Sequence, residues 1–153
     1  MTKELRSWKN YIFQSLLATM TTFIVLLLLS MEQAVIIASI GATAFIVFAM
    51  PTSITARPRN VIGGYLIGLL CGSICALIPQ PSSLHSVIAY SLAVGLSFFV
   101  MVIADAEHPP ASGTALGVAI TGFSLDVMVA VITSAVVLSL AHHFLRPFLR
   151  DLT

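Results

Sequence analysis

Val87-Ile88-Ala89-Tyr90-Ser91-Leu92-Ala93-Val94-Gly95-Leu96-Ser97-Phe98-Phe99-Val100-Met101-Val102-Ile103-Ala104 runs for 18 residues without a charge. As a helix it covers about 27 Å at 1.5 Å per residue, close to the roughly 30 Å hydrocarbon thickness of a bilayer. It reads as a membrane-spanning helix. Outward from it, short polar or proline-containing breaks separate further apolar runs. Tyr11 to Leu29, Ala34 to Met50 and Val61 to Ile78 lie upstream, and Ala111 to Phe123 and Val127 to Phe144 lie downstream. The expected fold is an all-α integral membrane protein, a bundle of about four to six hydrophobic helices. One membrane domain over residues 1–153 accounts for the whole chain. The run from Ala111 would reach only about 20 Å, so a short or re-entrant helix is expected there.

Composition agrees. Of 153 residues 58% are apolar and 8% charged, with a mean hydropathy of +1.04, far outside the range of soluble domains. A net charge of +1 argues against a nucleic-acid partner. Lys3, Arg6 and Lys9 precede the first apolar run as in a signal peptide, but the run is too long for an h-region and lacks a small-x-small cleavage site, so it reads as retained. Cys71 and Cys75, four apart in one apolar run, read as small packing residues. No metal set or cofactor is implied. His142 and His143 near Arg146, together with Gln14 and Trp8, read as interface anchors.

The basic residues set the expected topology. With an internal N-terminus and six crossings, Lys3, Arg6, Lys9, Arg57, Arg59, Arg146 and Arg150 all face the cytoplasm and no Lys or Arg faces out; five crossings would turn Arg146 and Arg150 outward. Glu32, the Pro79 to Ser86 segment and Asp126 fall outside. Both termini are therefore expected to be cytoplasmic, in a prokaryotic inner membrane. Gly64, Gly68 and Gly72 recur every fourth residue, as do Ala34, Ala38 and Ala42, and Gly113 is matched by Gly117. Such spacing lets helix backbones approach closely, within one subunit or between subunits of a homo-oligomer. A shift of 71 positions lays Gly41-Ala42-Thr43-Ala44 on Ser112-Gly113-Thr114-Ala115. Three segments per half would insert the second half upside down, a 3+3 inverted repeat of the transporter kind.

Two polar clusters could carry chemistry. Asp105, Glu107 and His108 are followed by Pro109, Pro110, Ala111, Ser112, Gly113 and Thr114. A proline suits the first turn of a helix, and the amides of Ser112, Gly113 and Thr114 near that end are candidates to meet an anion, beside a titratable His108. An interfacial loop explains the same residues equally well, and depth decides, because an acidic group at the bilayer centre costs roughly 2.5 to 3.5 kcal/mol. The second cluster is Arg57-Pro58-Arg59-Asn60. It shares the cytoplasmic side, so Arg59 or Arg57 could pair with a carboxylate or offer a fork to an anion, while Asn60 could cap the following helix. Thr43 and Thr114, matched in the repeat, are candidates to line a pore.

His108-Pro109-Pro110, followed by Ala111-Ser112-Gly113-Thr114-Ala115-Leu116, resembles the HPP family of integral membrane proteins, named for that tripeptide. Pro58-Arg59-Asn60-Val61-Ile62-Gly63-Gly64 is similar to the family's P-R-N-V-I-G-G segment. Gly41-Ala42-Thr43-Ala44 with Pro51 is similar to its G-A-S-A helix ending in proline. Arg57 stands where many members carry Gln, and Ser112 where Ala or Gly is common. The resemblance implies a four-span membrane protein and, for plastid and cyanobacterial relatives, nitrite transport. Six segments fit four spans only if two are re-entrant. The expectation is a transporter or channel for a small inorganic anion, not an enzyme, bound where His108 meets Arg59, with Asp105 and Glu107 fixing Arg59 or passing protons. The rival expectations are a structural or regulatory membrane partner subunit and a membrane enzyme using His108 as general base.

Overall fold

The computed structural model describes the backbone of residues 2–27 and 34–152 and the side chains of residues 8–24 and 35–152. Glu32 and the side chains of Lys3 and Arg6 lie outside the described residues. Among the described residues six α-helices follow one another: α1 Thr2–Leu27, α2 Ala34–Ala49, α3 Pro58–Ala76, α4 Ser83–Ile103, α5 Pro110–Thr121 and α6 Leu125–Leu145. A 3-10 turn, Ile54–Ala56, precedes α3, and another, Arg146–Phe148, follows α6. Among the described residues, α3, α4 and the α6 region are long and apolar enough to cross a membrane, and α2 is a shorter apolar helix.

The helix ends follow local chemistry. Pro58 and Pro110 occupy first-turn positions of α3 and α5, where a missing N–H costs nothing. At the end of α4 the Ala106 N–H bonds the Met101 carbonyl and the Asp105 N–H bonds the Val102 carbonyl. Asp105 takes the left-handed φ of 51° that this double-bonded stop requires. Ser124 caps α6, its hydroxyl accepting from the Val127 N–H at 3.2 Å. The end of α2 is closed by distant residues. Gln14 donates to the Phe48 carbonyl, the Leu152 N–H to Ala49, and His142 Nε2 to Pro51 at 2.9 Å. Gln14 and His142 are thus buried ties within the fold rather than interface anchors. Trp8 and His143 are exposed.

The two short helices, α2 and α5, cross at the centre and run antiparallel. Ile36 lies against Gly117, Ser39 against Gly113 and Thr43 against His108. α3 runs parallel to α5 with Gly64, Gly68 and Gly72 facing it. A Cβ on Gly64 would stand 2.6 Å from the His108 Cβ, and one on Gly68 would overlap the Ala111 carbonyl. This glycine stripe is therefore consumed inside the chain. The alanine stripe on α2 is not, because Ala38 and Ala42 point outward while Ile36, Ile40 and Val47 fill the core.

Pairs of packed helices show the internal repeat. α1 packs on α2 as α4 packs on α5; α3 packs on α5 as α6 packs on α2; α3 packs on α4 as α6 packs on α1. The remaining pairs, α2 with α5 and α3 with α6, map onto themselves. Exchanging the two halves carries each packed pair of helices onto another packed pair, the pairing that a 3+3 repeat requires, although the α3 contacts with α4 and α5 are more extensive than the α6 contacts with α1 and α2.

Candidate functional site

Chain direction alternates along α1 to α6, which gathers one set of helix ends. Arg59 meets Asp105, Asn60 meets the Glu107 carbonyl, Thr52 bonds Asp151, and Gln14 reaches the Arg150 carbonyl. Lys9, Arg57, Arg59, Arg146 and Arg150 consequently share one end of the bundle. Arg59 Nη1 and Asp105 Oδ2 lie 3.4 Å apart, with side chains 70% and 77% exposed, so the pair is worth well under 1 kcal/mol if water reaches it. Arg59 also donates to the Ala104 carbonyl at 3.4 Å. Asn60 is buried and donates to the Glu107 carbonyl at 3.3 Å. It therefore fixes the loop before α5; the α3 N-cap is Arg57, which makes no capping bond.

Below this surface pair lies a buried polar file. His108, Thr43 and Thr114 have 0% of their surface accessible, Tyr65 1% and Ser39 5%. His108 Nδ1 lies 2.8 Å from the Thr55 carbonyl. A carbonyl only accepts, so Nδ1 carries hydrogen, and in the neutral ring Nε2 accepts. Thr43, 2.8 Å from Nε2, is then the donor. Its one proton being used, Tyr65 donates to Thr43 at 2.6 Å. Ser39 donates to the Pro110 carbonyl, so Thr114, 3.0 Å away, donates to Ser39. Tyr65 and Ser39 oxygens stand 3.5 Å apart, neighbours without a proton between them, since each hydroxyl donates elsewhere.

The file can hold a second proton arrangement. Thr43 Oγ1 lies 3.1 Å from the Ser39 carbonyl. If Nε2 gains a proton, it donates to Thr43 and the threonine hydroxyl turns to that carbonyl, with the heavy atoms in place. Burial pushes the His108 imidazole down to about 4, against the opposing pull of the Thr55 carbonyl bond. It is thus neutral at ordinary pH, since an uncompensated charge there loses its hydration.

The expected site residues are distributed in depth. Arg59 and Asp105 are outermost, Asn60 and Glu107 form the next turn, and His108, Thr43 and Thr114 are interior. Pro109 is exposed and Pro110 buried. At the α5 start the Ser112 amide is not free: its N–H bonds the Pro109 carbonyl, as the Ala111 N–H bonds the His108 carbonyl. Ser112 instead places its hydroxyl 3.2 Å from Ser97. Ser39 and Tyr65 were not singled out by the sequence, since a single hydroxyl in an apolar run carries no local pattern. Cys71 and Cys75 are buried free thiols, Cys75 packing with Ala93, Ala115 and Ala119. Among the described residues no three His, Cys, Asp or Glu side chains are grouped to hold a metal ion.

Comparison with known proteins gives a family match described as HPP, transmembrane region, over residues 3–149. A transmembrane protein of Dictyostelium discoideum is 35% identical over 106 residues, which is 65% of this chain and 37% of that protein. A second from the same organism is 32% identical over 85 residues, 56% of this chain and 27% of that protein. The matched region thus spans only about a third of these relatives. No solved structure matches.

Proposed function

The chain belongs to the HPP transmembrane family, and from that premise we propose that it is a transporter or channel for a small inorganic anion, with nitrite the first candidate. The observation that carries this reading is the buried file of His108, Thr43, Tyr65, Ser39 and Thr114 at the crossing of two short antiparallel helices. Polar side chains in the interior of a membrane bundle are costly and mark ion or proton pathways. Short central helices in a two-fold repeat are the setting in which transporters place their sites.

In this reading Arg59 and Asn60 take the anion at the charged end, where Asp105 competes for the guanidinium and Glu107 and the His108-Pro109-Pro110 turn form the floor. The Ser112, Gly113 and Thr114 turn borders the path. Entry requires the α2–α5 crossing to part, since the file is closed. A neutral file repels an anion least when a proton travels with it. Protonation of His108, with Thr43 turning to the Ser39 carbonyl, supplies a positive charge beside the passing anion. The gathering of Lys9, Arg57, Arg59, Arg146 and Arg150 supports a cytoplasmic location for that end and for both termini in an inner membrane. A homo-oligomer would need a face other than the Gly64 stripe, which α5 occupies.

A second reading, a structural or regulatory partner subunit, draws on the fact that the file's bonds are all met within the chain. Flux into proteoliposomes separates the two. Nitrite, nitrate and chloride are compared at pH 5.5 and 7.5 for the native chain, His108→Ala, Thr43→Val and Arg59→Ala. Selective flux that is faster at pH 5.5 and lost in the folded variants supports transport. Native flux no greater than that of empty liposomes sinks it and leaves the partner-subunit reading.

A further inference from the structure

The α3–α6 seam carries two cavities. One, of about 250 Å³, lies toward the charged end between Pro58 and Ile62 of α3 and Val136, Ser139, Leu140 and His143 of α6. The other, of about 350 Å³, lies toward the opposite end. An offset of 70 positions carries every residue lining the first onto a residue lining the second. They correspond across the two halves at one position less than the shift of 71 that aligns Thr43 with Thr114, and their differences are therefore informative.

Two of the differences are polar. Ser139 stands where the second cavity has Leu69, and His143 where it has Ser73. The Ser73 hydroxyl is spent on the Leu69 carbonyl at 2.7 Å. Ser134, a little over one turn before Ser139, likewise closes on the Ala130 carbonyl at 2.7 Å, the usual resort of a helical serine. Ser139 does neither: it is 3% exposed and its hydroxyl has no partner. A buried hydroxyl without a bond is unfavourable; Nδ1 of His142, three residues on in α6, is also buried without a partner, and an acceptor entering the cavity would meet the need of the Ser139 hydroxyl.

The surroundings define that ligand. Ile62, Val136 and Leu140 make the wall apolar, and Val136 and Leu140 are exposed, so the cavity opens sideways toward hydrocarbon. Exposed His143 stands at its charged-end margin, and exposed Arg57 directly precedes Pro58. An apolar tail, an acceptor oxygen near its head and a negative charge beyond are the features of one class of molecule. We propose that this cavity binds an anionic phospholipid. One acyl chain lies between α3 and α6, an ester carbonyl accepts from Ser139, and the phosphate sits by His143 and Arg57. The second cavity, lacking the free hydroxyl and the histidine, takes acyl chains without headgroup preference.

The test is native mass spectrometry of the full chain released from nanodiscs of mixed phosphatidylglycerol and phosphatidylcholine. The native chain is expected to retain phosphatidylglycerol in preference, and inorganic phosphate in excess should not displace it. Ser139→Ala with His143→Gln should lose the preference, and Leu140→Trp should lose the lipid by filling the cavity. Ser73→Ala, in the second cavity, should change nothing. Circular dichroism checks that each variant keeps its helices. Equal retention of the two lipids by the native chain would overturn the proposal, as would undiminished retention by the Ser139→Ala, His143→Gln variant. A dimer mass that depends on the same residues would give the face to a second copy and also overturn it.

Discussion

Gly64 and Gly95 show how differently one residue type is used in this bundle. A methyl group on Gly64 would meet the His108 Cβ at 2.6 Å with Ala111 and the Ala106 carbonyl close behind, whereas around Gly95 nothing lies within 4 Å. Gly64→Ala must push α3 from α5 and should cost about 1–3 kcal/mol, the usual range for overpacking. Gly95→Ala should be neutral or gain up to about 1 kcal/mol from the better helix former. Thermal melts in detergent separate them, and equal melting temperatures would refute the assigned packing. His108 gives a pH prediction at the same scale. Its folded pKa of about 4 lies below the ordinary 6.5, so between those values the unfolded chain binds a proton that the folded chain does not. Stability is therefore full above about pH 7, falls as pH drops through that window and levels off below about 4. The loss amounts to about 3 kcal/mol if the whole shift is realised. Melting curves of the native chain and His108→Gln from pH 7.5 to 4.5 should diverge; parallel curves would show that His108 is not buried neutral.

At the scale of elements, the end of α2 depends on contacts from far along the chain. Gln14 donates to the Phe48 and Arg150 carbonyls, the latter at 2.7 Å, and accepts from the Arg150 N–H at 3.4 Å. Gln14→Leu removes all three and leaves a helix-terminal carbonyl buried without its donor, a cost of about 1–3 kcal/mol. The C-terminal segment should loosen with it, so trypsin should cut after Arg150 faster than in the native chain; unchanged cleavage would mean that the Leu152 and Asp151 bonds hold the segment unaided. This element also marks the limit of what the sequence discloses. Apolar runs located every helix, because a bilayer demands continuous apolar length. They placed the start of α3 at Val61 instead of Pro58 and that of α4 at Val87 instead of Ser83, because first turns tolerate prolines and polar residues, and that of α1 at Tyr11 instead of Thr2, because a helix can run on beyond its apolar length through polar residues. The motif singled out His108, and the repeat singled out Thr43 and Thr114, but the expected neighbour of His108 was Arg59, and its bond to Thr43 was not legible. Gln14, His142, Ser39 and Tyr65 were not, since their partners stand 22 to 136 positions away and no local spacing encodes them.

At the scale of the molecule, the alternating helix directions and the pseudo-two-fold pairing make a joint statement about orientation. If α1 to α6 all pass from one membrane face to the other, the Pro79–Ser82 turn and the Phe123–Asp126 turn share the face opposite Thr52, Asp105 and Asp151. If α5, only 12 residues long, instead enters and returns on one side, then α6 begins on the same face as the His108 turn. The charged end would then no longer collect Arg57 with Arg146. The packing favours the first case. α5 runs parallel to α3 along the Gly64, Gly68 and Gly72 stripe, and α6 runs antiparallel to α3 along the whole seam. At about 18 Å, α5 cannot cover the hydrocarbon alone, so the exposed Phe123 and Leu125 must extend the apolar band past its end. Single cysteines placed at Thr52, Ser82, Asp105 and Asp126 in a Cys71→Ala, Cys75→Ala background test this with an impermeant maleimide. In right-side-out vesicles Ser82→Cys and Asp126→Cys should label, and in inverted vesicles Thr52→Cys and Asp105→Cys. Asp126→Cys labelling together with Thr52→Cys would make α5 re-entrant, detach the second half of the repeat from inverted symmetry, and remove the structural basis for alternating access around the α2–α5 crossing.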